Sequence, residues 1–269
     1  MSRMEGLCER KDLGRVRHAL FDFDGTLSLL REGWQSVMTG LMVEVFAATK
    51  DGAEESEIEA YIGQSTGIQT IFQMQWLAQE VARRGGQTLE PAQYKTEYLN
   101  RLDAHIAGRK ESLRAGNPRA EDYLVPGTEE LLSELQRRGV RMYCASGTDE
   151  HYVREEAALL GLDGFFDGGI KGAQPDHSMF SKKMVIAAII ADNGLSGSEL
   201  MVAGDGFVEI EECAAVGGVA LGVATDEREC GKVNQWKRER LIKAGADMIV
   251  ADLSLGRELA ALLCGGNES

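Results

Sequence analysis

The sequence predicts an α/β protein: a doubly wound, mostly parallel sheet with an all-helical domain inserted into it. Two observations predict this fold class. From Val125 onward, short apolar segments alternate with stretches of helical length, which is typical of a parallel sheet with helices on both faces. Before that point, residues 29–123 show helical periodicity and no convincing strand.

The first core strand is expected at Ala19-Leu20-Phe21, an apolar run that precedes the string Asp22-Phe23-Asp24-Gly25-Thr26. Gly25 ends the strand, so both aspartates should lie at its carboxyl end, where open α/β sheets bind their ligands. Two carboxylates one residue apart point in different directions and can do different chemistry. An Asp-Gly pair is also common in ordinary turns, so the string alone leaves both interpretations open.

The helical insert comes next. Helices are expected at 34–47, 57–63, 69–84 and 91–115. The junctions of the insert are the turn after Thr26 and the Pro126-Gly127 pair, which has the composition of a turn. The sequence is therefore divided into an α/β core, residues 1–28 and 124–269, and a helical cap, residues 29–123.

The remaining elements alternate to the end of the chain. Strands are expected at 140–145, 165–170, 200–203, 218–223 and 248–250. Helices are expected at 127–138, 150–160, 181–192, 208–216, 232–243 and 255–263. Because each strand is short and apolar, we expect both faces of the sheet to be covered.

Composition excludes several classes. Hydrophobic residues make up 43% and charged residues 27%, as in globular proteins, and no apolar run is long enough for a transmembrane helix. The first residues contain no apolar signal core. The five cysteines are scattered, which disfavours a disulfide framework and a zinc site. The cytoplasm is the expected compartment.

The formal net charge is −14. This surplus disfavours a nucleic-acid backbone or an anionic membrane as a partner. An anionic substrate would carry the same sign of charge as the protein. A divalent cation and a few local basic residues would then have to reverse the field at the site.

Two further strands also end in polar residues. Ser146-Gly147-Thr148 follows the strand at 140–145 and can present a hydroxyl and backbone N–H groups to an anion. The same string could begin a helix, with Thr148 as its N-cap. Asp205 follows the strand at 200–203, and Lys182 and Lys183 open the helix before that strand.

These strings resemble the four motifs of the haloacid dehalogenase-like hydrolase superfamily, most of whose members are phosphatases. Asp22 to Thr26 matches the first motif, Ser146 the second and Gly204-Asp205 the fourth. For the third motif the family's register favours Lys182, 23 positions before Asp205, over Lys183, with Lys171 third. Glu209 stands where many relatives carry a second aspartate, so its role is open.

The resemblance implies a mechanism. Asp22 would attack phosphorus and form an aspartyl-phosphate, and Asp24 would protonate the leaving alcohol and then activate water. Relatives with dehalogenase, phosphonatase or transport-ATPase activity carry tyrosine, alanine or threonine in the place of Asp24. Lys182, Ser146 and the backbone at Gly147 would hold the phosphoryl oxygens.

The resemblance also implies Mg²⁺ as the cofactor. Its ligands would be the carboxylates of Asp22 and Asp205 and the backbone carbonyl of Asp24, since magnesium prefers oxygen ligands.

The expected substrate is a small phosphorylated metabolite, such as a sugar phosphate, and the expected activity is that of a phosphatase. Arg31, Thr66 and Gln69 lie where a cap residue could contact the substrate, although each could equally be a solvated surface residue. A basic patch at Arg109, Lys110 and Arg114 could meet a second anionic group. A sugar phosphomutase is the alternative enzyme, and a non-catalytic binding protein is the alternative of another class.

Overall fold

The computed structural model describes residues 4–7, 12–116 and 120–265. Within them, one sheet contains the strands β1 (Met4–Gly6), β2 (His18–Phe21), β3 (Arg141–Asp149), β4 (Ile170–Ala173), β5 (Leu200–Gly204), β6 (Val219–Val223) and β7 (Met248–Val250). Their spatial order is β1-β7-β6-β5-β2-β3-β4. All neighbours are parallel except β1, which pairs antiparallel with β7. The predicted fold class is confirmed.

Strand β2 lies at the centre of this sheet. Phe21, its last residue, pairs with Cys144 of β3 on one side and with Ala203 of β5 on the other. The chain runs outward from β2 to β3 and β4 and then crosses back to β5, so the strand order reverses at β2. A reversal of this kind opens a crevice at the carboxyl ends of the strands, where open α/β sheets bind ligands.

Six helices cover the two faces of the sheet: α5 (Thr128–Arg137), α6 (Glu150–Leu159), α7 (Lys182–Asn193), α8 (Phe207–Ala215), α9 (Gln235–Lys243) and α10 (Gly256–Cys264). Alternate residues of β2 face opposite sides, as the pleat requires. Ala19 and Phe21 pack in a cluster with α5, α6 and α10, whereas Leu20 packs with α7, α8 and α9. The sheet is therefore buried between two helical layers.

Four further helices lie between β2 and β3: α1 (Trp34–Ala47), α2 (Glu55–Gln64), α3 (Thr70–Arg83) and α4 (Pro91–Arg114). They share an apolar cluster of their own, which includes Met42, Phe46, Leu77 and Ile106. The chain leaves and re-enters the sheet side by side, since Leu29 N donates to Tyr123 O at 2.8 Å. The division into core and cap remains a prediction, which this packing supports.

Some element boundaries differ from the prediction. The strand predicted at 165–170 begins only at Ile170, because residues 163–165 form a 3₁₀ turn and Gly169 has a positive φ. Helix α9 begins at Gln235, because the Asn234 side chain accepts a hydrogen bond from Lys237 N and caps it there. Strand β1 was not predicted. None of the helices in the described ranges combines the length and apolarity that crossing a membrane requires.

Candidate active site

The loop after β2 carries the two predicted aspartates to the edge of the sheet. Asp22 N still donates to Ala203 O of the neighbouring strand at 2.9 Å, and the chain then turns, with Phe23 O accepting from Leu27 N and Ser28 N. Gly25 has a φ of 75°, and a Cβ there would lie 2.3 Å from Asp205 Oδ2. The turn therefore requires glycine at this position both for its backbone conformation and for space.

Lys182 lies against Asp22. It is the first residue of α7, and its Nζ is 2.9 Å from Asp22 Oδ1 and 2.8 Å from Glu209 Oε2. The adjacent Lys183 points outward: its side chain is 73% exposed and reaches Glu212 at 3.4 Å. Lys171 is exposed as well. Of the three candidate lysines, the structure brings only Lys182 to the predicted nucleophile.

Three buried carboxylates converge beside Lys182. Asp22, Asp205 and Glu209 each offer one oxygen within 4.8 Å of the others. Glu209, whose role the sequence left open, accepts from Lys182 through Oε2 and from Gly206 N through Oε1 at 2.9 Å. Asp205 follows β5, and its backbone N donates to Thr26 Oγ1 at 3.0 Å. The first and fourth motifs are thereby joined by a direct hydrogen bond.

Asp24 lies on the other side of the crevice, among hydroxyl groups. Its Oδ2 accepts from Ser146 Oγ at 3.2 Å and from Thr148 Oγ1 at 3.0 Å. Its Oδ1 is buried without a hydrogen bond and lies 3.6 Å from Arg31 Nε. Ser146 also accepts from Thr148 N at 3.1 Å. The string belongs to the last part of β3 rather than to the start of α6, whose N-cap is Asp149, and its two hydroxyls orient Asp24.

Burial changes the acidity of both aspartates. Burial raises the pKa of Asp22 well above its usual value, Lys182 opposes this change, and the charges of Glu209 and Asp205 add to it. Burial also raises the pKa of Asp24, against the opposing charge of Arg31. Burial alone would lower the pKa of Lys182, but Asp22 and Glu209 raise it instead. Both carboxyl groups are thus shifted toward the protonated form, and the ion pair with Lys182 is what favours the ionised form of Asp22.

The donor set fits a divalent metal ion. All three converging groups are carboxylates, and Asp22, Asp205 and Glu209 are 6%, 8% and 1% exposed. Closely packed buried carboxylates repel one another, and a cation among them relieves that repulsion. Oxygen donors alone are the ligand type of hard divalent ions such as Mg²⁺, Ca²⁺ and Mn²⁺ rather than of softer metals.

Two groups at the site were missed by sequence reasoning. Lys237 of α9 places its Nζ 2.7 Å from Asp205 Oδ2 and 2.8 Å from Glu227 Oε1. Lys237 and Glu227 are the two missed residues, and both belong to a charged stretch that is typical of a solvated loop and helix face. No local pattern marks Lys237 among the other basic residues of α9.

Residues of the helical insert, the predicted cap, line this crevice together with residues of the sheet edge, and the cavity between them has a volume of about 80 Å³. Its cap-side walls are formed by Trp34, Thr66, Gly67, Ile68, Thr70, Gln73, Tyr98 and Leu102. Gly147 packs against the cap loop, since a Cβ at this position would lie 2.9 Å from Ile68 O. Thr66 also donates its hydroxyl to Ile62 O at 3.1 Å.

Two cap residues that were predicted to contact the substrate make other contacts. Gln69 does not line the cavity: its Nε2 donates to Phe180 O at 2.8 Å and ties the cap to the core. Arg31 lines the cavity, but its guanidinium donates twice to Glu156, at 2.9 Å each.

The predicted basic patch is neutralised by its neighbours. Arg109 donates to Leu30 O, Glu32 O and the Glu32 carboxylate. Lys110 pairs with Asp103 at 2.9 Å, and Arg114 pairs with Glu155 at 2.5 Å. None of these three cations lines the cavity.

Comparison with known proteins gives a family and a fold. A family model described as haloacid dehalogenase-like hydrolase matches residues 16–217. Among curated proteins, none matches this sequence.

Several solved structures are similar. A predicted phosphoglycolate phosphatase from Haemophilus somnus has a TM-score of 0.61 at 15% identity, covering 91% of this chain and 98% of that one. A β-phosphoglucomutase from Clostridium difficile has a TM-score of 0.60 at 13% identity, covering 89% and 92%. A phosphonoacetaldehyde hydrolase-like protein from Oleispira antarctica has a TM-score of 0.59 at 15% identity, covering 98% and 100%. At these identities the likeness describes the fold alone.

Proposed function

Since this chain belongs to the haloacid dehalogenase-like hydrolases, as a phosphoric monoester hydrolase, we propose that it is a magnesium-dependent phosphatase of small phosphorylated metabolites and acts through an aspartyl-phosphate on Asp22. One observation carries the proposal: Asp22 and Asp24 flank the same cavity in different surroundings. Asp22 lies in an ion pair with Lys182, and Asp24 lies among the hydroxyls of Ser146 and Thr148. Two carboxyl groups with different environments are suited to two different roles.

In the first half of the proposed reaction, a carboxylate oxygen of Asp22 attacks phosphorus. The new bond to Asp22 forms as the bond from phosphorus to the ester oxygen breaks, and Asp24 transfers its proton to the departing oxygen. Lys182 partly neutralises the charge on the nonbridging oxygens, because its Nζ lies 2.9 Å from the attacking carboxylate.

In the second half, Asp24 removes a proton from water, and the resulting hydroxide attacks phosphorus and releases Asp22. The raised pKa of Asp24 favours the protonated form that donates in the first half, and the hydrogen bonds from Ser146 and Thr148 stabilise the ionised form that accepts in the second half.

The proposed metal ligands are the carboxylates of Asp22 and Asp205 and the backbone carbonyl of Asp24, with Glu209 close enough to orient them or to join them. A divalent ion bound there would place positive charge next to the phosphoryl oxygens. The protein has a net charge of −14, so its own positive charge at the site comes only from a few local basic residues.

The cavity favours substrates with a single phosphate group. Among its described lining residues the cations are Arg31 and Lys182. Lys182 is paired with Asp22 and Glu209, and Arg31 is paired with Glu156. A second phosphate on the cap side would therefore meet no uncommitted positive charge, which disfavours the bisphosphate intermediate of a sugar phosphomutase.

The test is a phosphate-release panel of sugar phosphates and other small phosphate esters, with Mg²⁺ and with chelator. We expect Mg²⁺-dependent release from some esters by the wild type and none by Asp22→Asn, because an amide of the same shape cannot attack. Asp192→Asn, at an exposed position on α7, is the matched control and should keep full activity.

Each alternative has its own outcome. Full activity of Asp22→Asn would exclude the proposed nucleophile. An isomerised sugar phosphate without phosphate release would identify a mutase, and no product from any ester would support a binding protein.

A further inference from the structure

Lys237 is built into the predicted metal-binding edge. It lies in the first turn of α9, where its backbone N donates to the Oδ1 of the Asn234 cap at 3.0 Å. Its ammonium lies between two carboxylates, 2.7 Å from Asp205 Oδ2 and 2.8 Å from Glu227 Oε1. The exposed fractions of the three side chains are 7%, 7% and 13%. Within this buried triad, the ammonium of Lys237 contacts only one of the two carboxylate oxygens of Asp205, Oδ2.

Resting on the magnesium site proposed above, we propose that Lys237 is a positioning residue that restricts Asp205 to binding a metal ion through one oxygen, and that it thereby favours Mg²⁺ over Ca²⁺.

The physical basis is the different coordination of the two ions. Mg²⁺ binds oxygens at about 2.0–2.1 Å in a strict octahedron, whereas Ca²⁺ binds at about 2.3–2.6 Å with more ligands and readily takes both oxygens of one carboxylate. An ion that took both oxygens of Asp205 would share Oδ2 with the ammonium of Lys237. Two positive centres on one oxygen repel each other strongly at low exposure to water. Binding through Oδ1 alone avoids this repulsion.

The surroundings hold Asp205 in this orientation. The backbone N of Asp205 donates to Thr26 Oγ1 at 3.0 Å. The loop after β2 packs against the triad at Gly25. A side chain at that position would place its Cβ 2.3 Å from Asp205 Oδ2 and 3.3 Å from Glu227 Oε1, so the backbone of the loop fills the space beside both carboxylates. Glu227 offsets the charge of Lys237 from the other side. Lys237 therefore stays paired with Glu227 when a metal ion binds to Asp205.

The test measures metal binding rather than activity. Metal-free wild type, Lys237→Met and the control Lys183→Met are titrated with Mg²⁺ and with Ca²⁺ by isothermal titration calorimetry at fixed pH and ionic strength. Removal of the Lys237 charge should strengthen binding of both ions. Ca²⁺ should gain about tenfold more than Mg²⁺, a change of the order of magnitude by which groups that orient a metal ligand alter metal affinity. The Lys183→Met variant should have the same ratio of Ca²⁺ affinity to Mg²⁺ affinity as the wild type, because the Lys183 side chain is 73% exposed.

A second variant protects the test against misfolding. Lys237→Met combined with Glu227→Gln removes one charge of each sign, and it should show the same loss of Mg²⁺ preference with the circular dichroism spectrum of the wild type. An equal gain for the two ions, or no change in their ratio, would overturn the role of Lys237 while leaving the magnesium site intact. A wild type that binds no Mg²⁺ would overturn the site and this inference together.

Discussion

Replacement of Arg31 by methionine should destabilise the protein by about 3–5 kcal/mol, the usual cost of removing one partner of a buried ion pair. Arg31 joins the start of the cap to helix α6 of the core. Its Nε and Nη2 each donate to a different oxygen of Glu156 at 2.9 Å, and Glu156 is 0% exposed. The variant would leave that carboxylate buried without its main counter-charge.

The structure places the expected loss near the lower end of that range. Lys110 Nζ lies 3.7 Å from Glu156 Oε1 and keeps part of the compensation. The Lys110 ammonium also pairs with Asp103 at 2.9 Å and with Glu155 at 3.7 Å, so it compensates the charge of Glu156 only in part. We therefore expect about 3 kcal/mol, which corresponds to a fall in Tm of roughly 6–12 °C for a chain of this size.

The assay is urea unfolding followed by circular dichroism at neutral pH, with thermal unfolding as a second measurement. Arg114→Met is the matched control. It breaks a similar arginine–glutamate pair between α4 and α6, but these side chains are 55% and 40% exposed. Exposed pairs contribute little, so this variant should lose less than about 1 kcal/mol.

A double variant separates the unpaired charge from lost packing. Arg31→Met with Glu156→Leu replaces the pair by apolar side chains and should recover most of the stability, as replacement of whole buried ion pairs commonly does. The reasoning is refuted if Arg31→Met unfolds at the urea concentration of the wild type, or if the double variant is no more stable than the single one.

The remaining predictions concern catalysis. Lys182→Met should lower kcat by about a hundredfold or more, the scale of a preorganised electrostatic contact. Lys183→Met should leave kcat unchanged in the same steady-state assay. The reverse pattern would assign the role to Lys183. For Asp24, burial raises the pKa, and the proposed general acid must be protonated, so kcat/KM for alkyl phosphates should fall as pH rises through that pKa. Asp24→Asn should lose that pH dependence and most of kcat/KM on alkyl esters, but much less of kcat/KM on p-nitrophenyl phosphate, whose leaving group needs no proton. The kcat should fall for both substrates, because Asp24 also activates the water, whereas equal losses of kcat/KM would argue against the acid role.

Local patterns predicted the sheet and the positions of most catalytic candidates. Short apolar runs gave the strands. Gly25 and Gly206 follow the strand ends next to Asp22 and Asp205, and Gly147 follows Ser146 within the last part of β3. Parallel strands place their carboxyl ends at one edge, so residues at the tips of neighbouring strands meet without any further information. Boundaries failed where the pattern was weak. The three-residue edge strand β1 gains its hydrogen bonds from β7, far away in sequence.

The sequence by itself determined the family, the fold class and which acids stand at the strand ends, because each depends on residues close together in the chain. The tertiary structure alone decided which charges pair. It placed Lys182 rather than Lys183 on Asp22 and brought Lys237 to Asp205, and it committed Arg31 to Glu156, 125 positions away. A charged side chain has the same local pattern whether it meets water or a buried partner. The packing of α6, α7 and α9 against the crevice removes the water and leaves only particular carboxylates within reach of each cation.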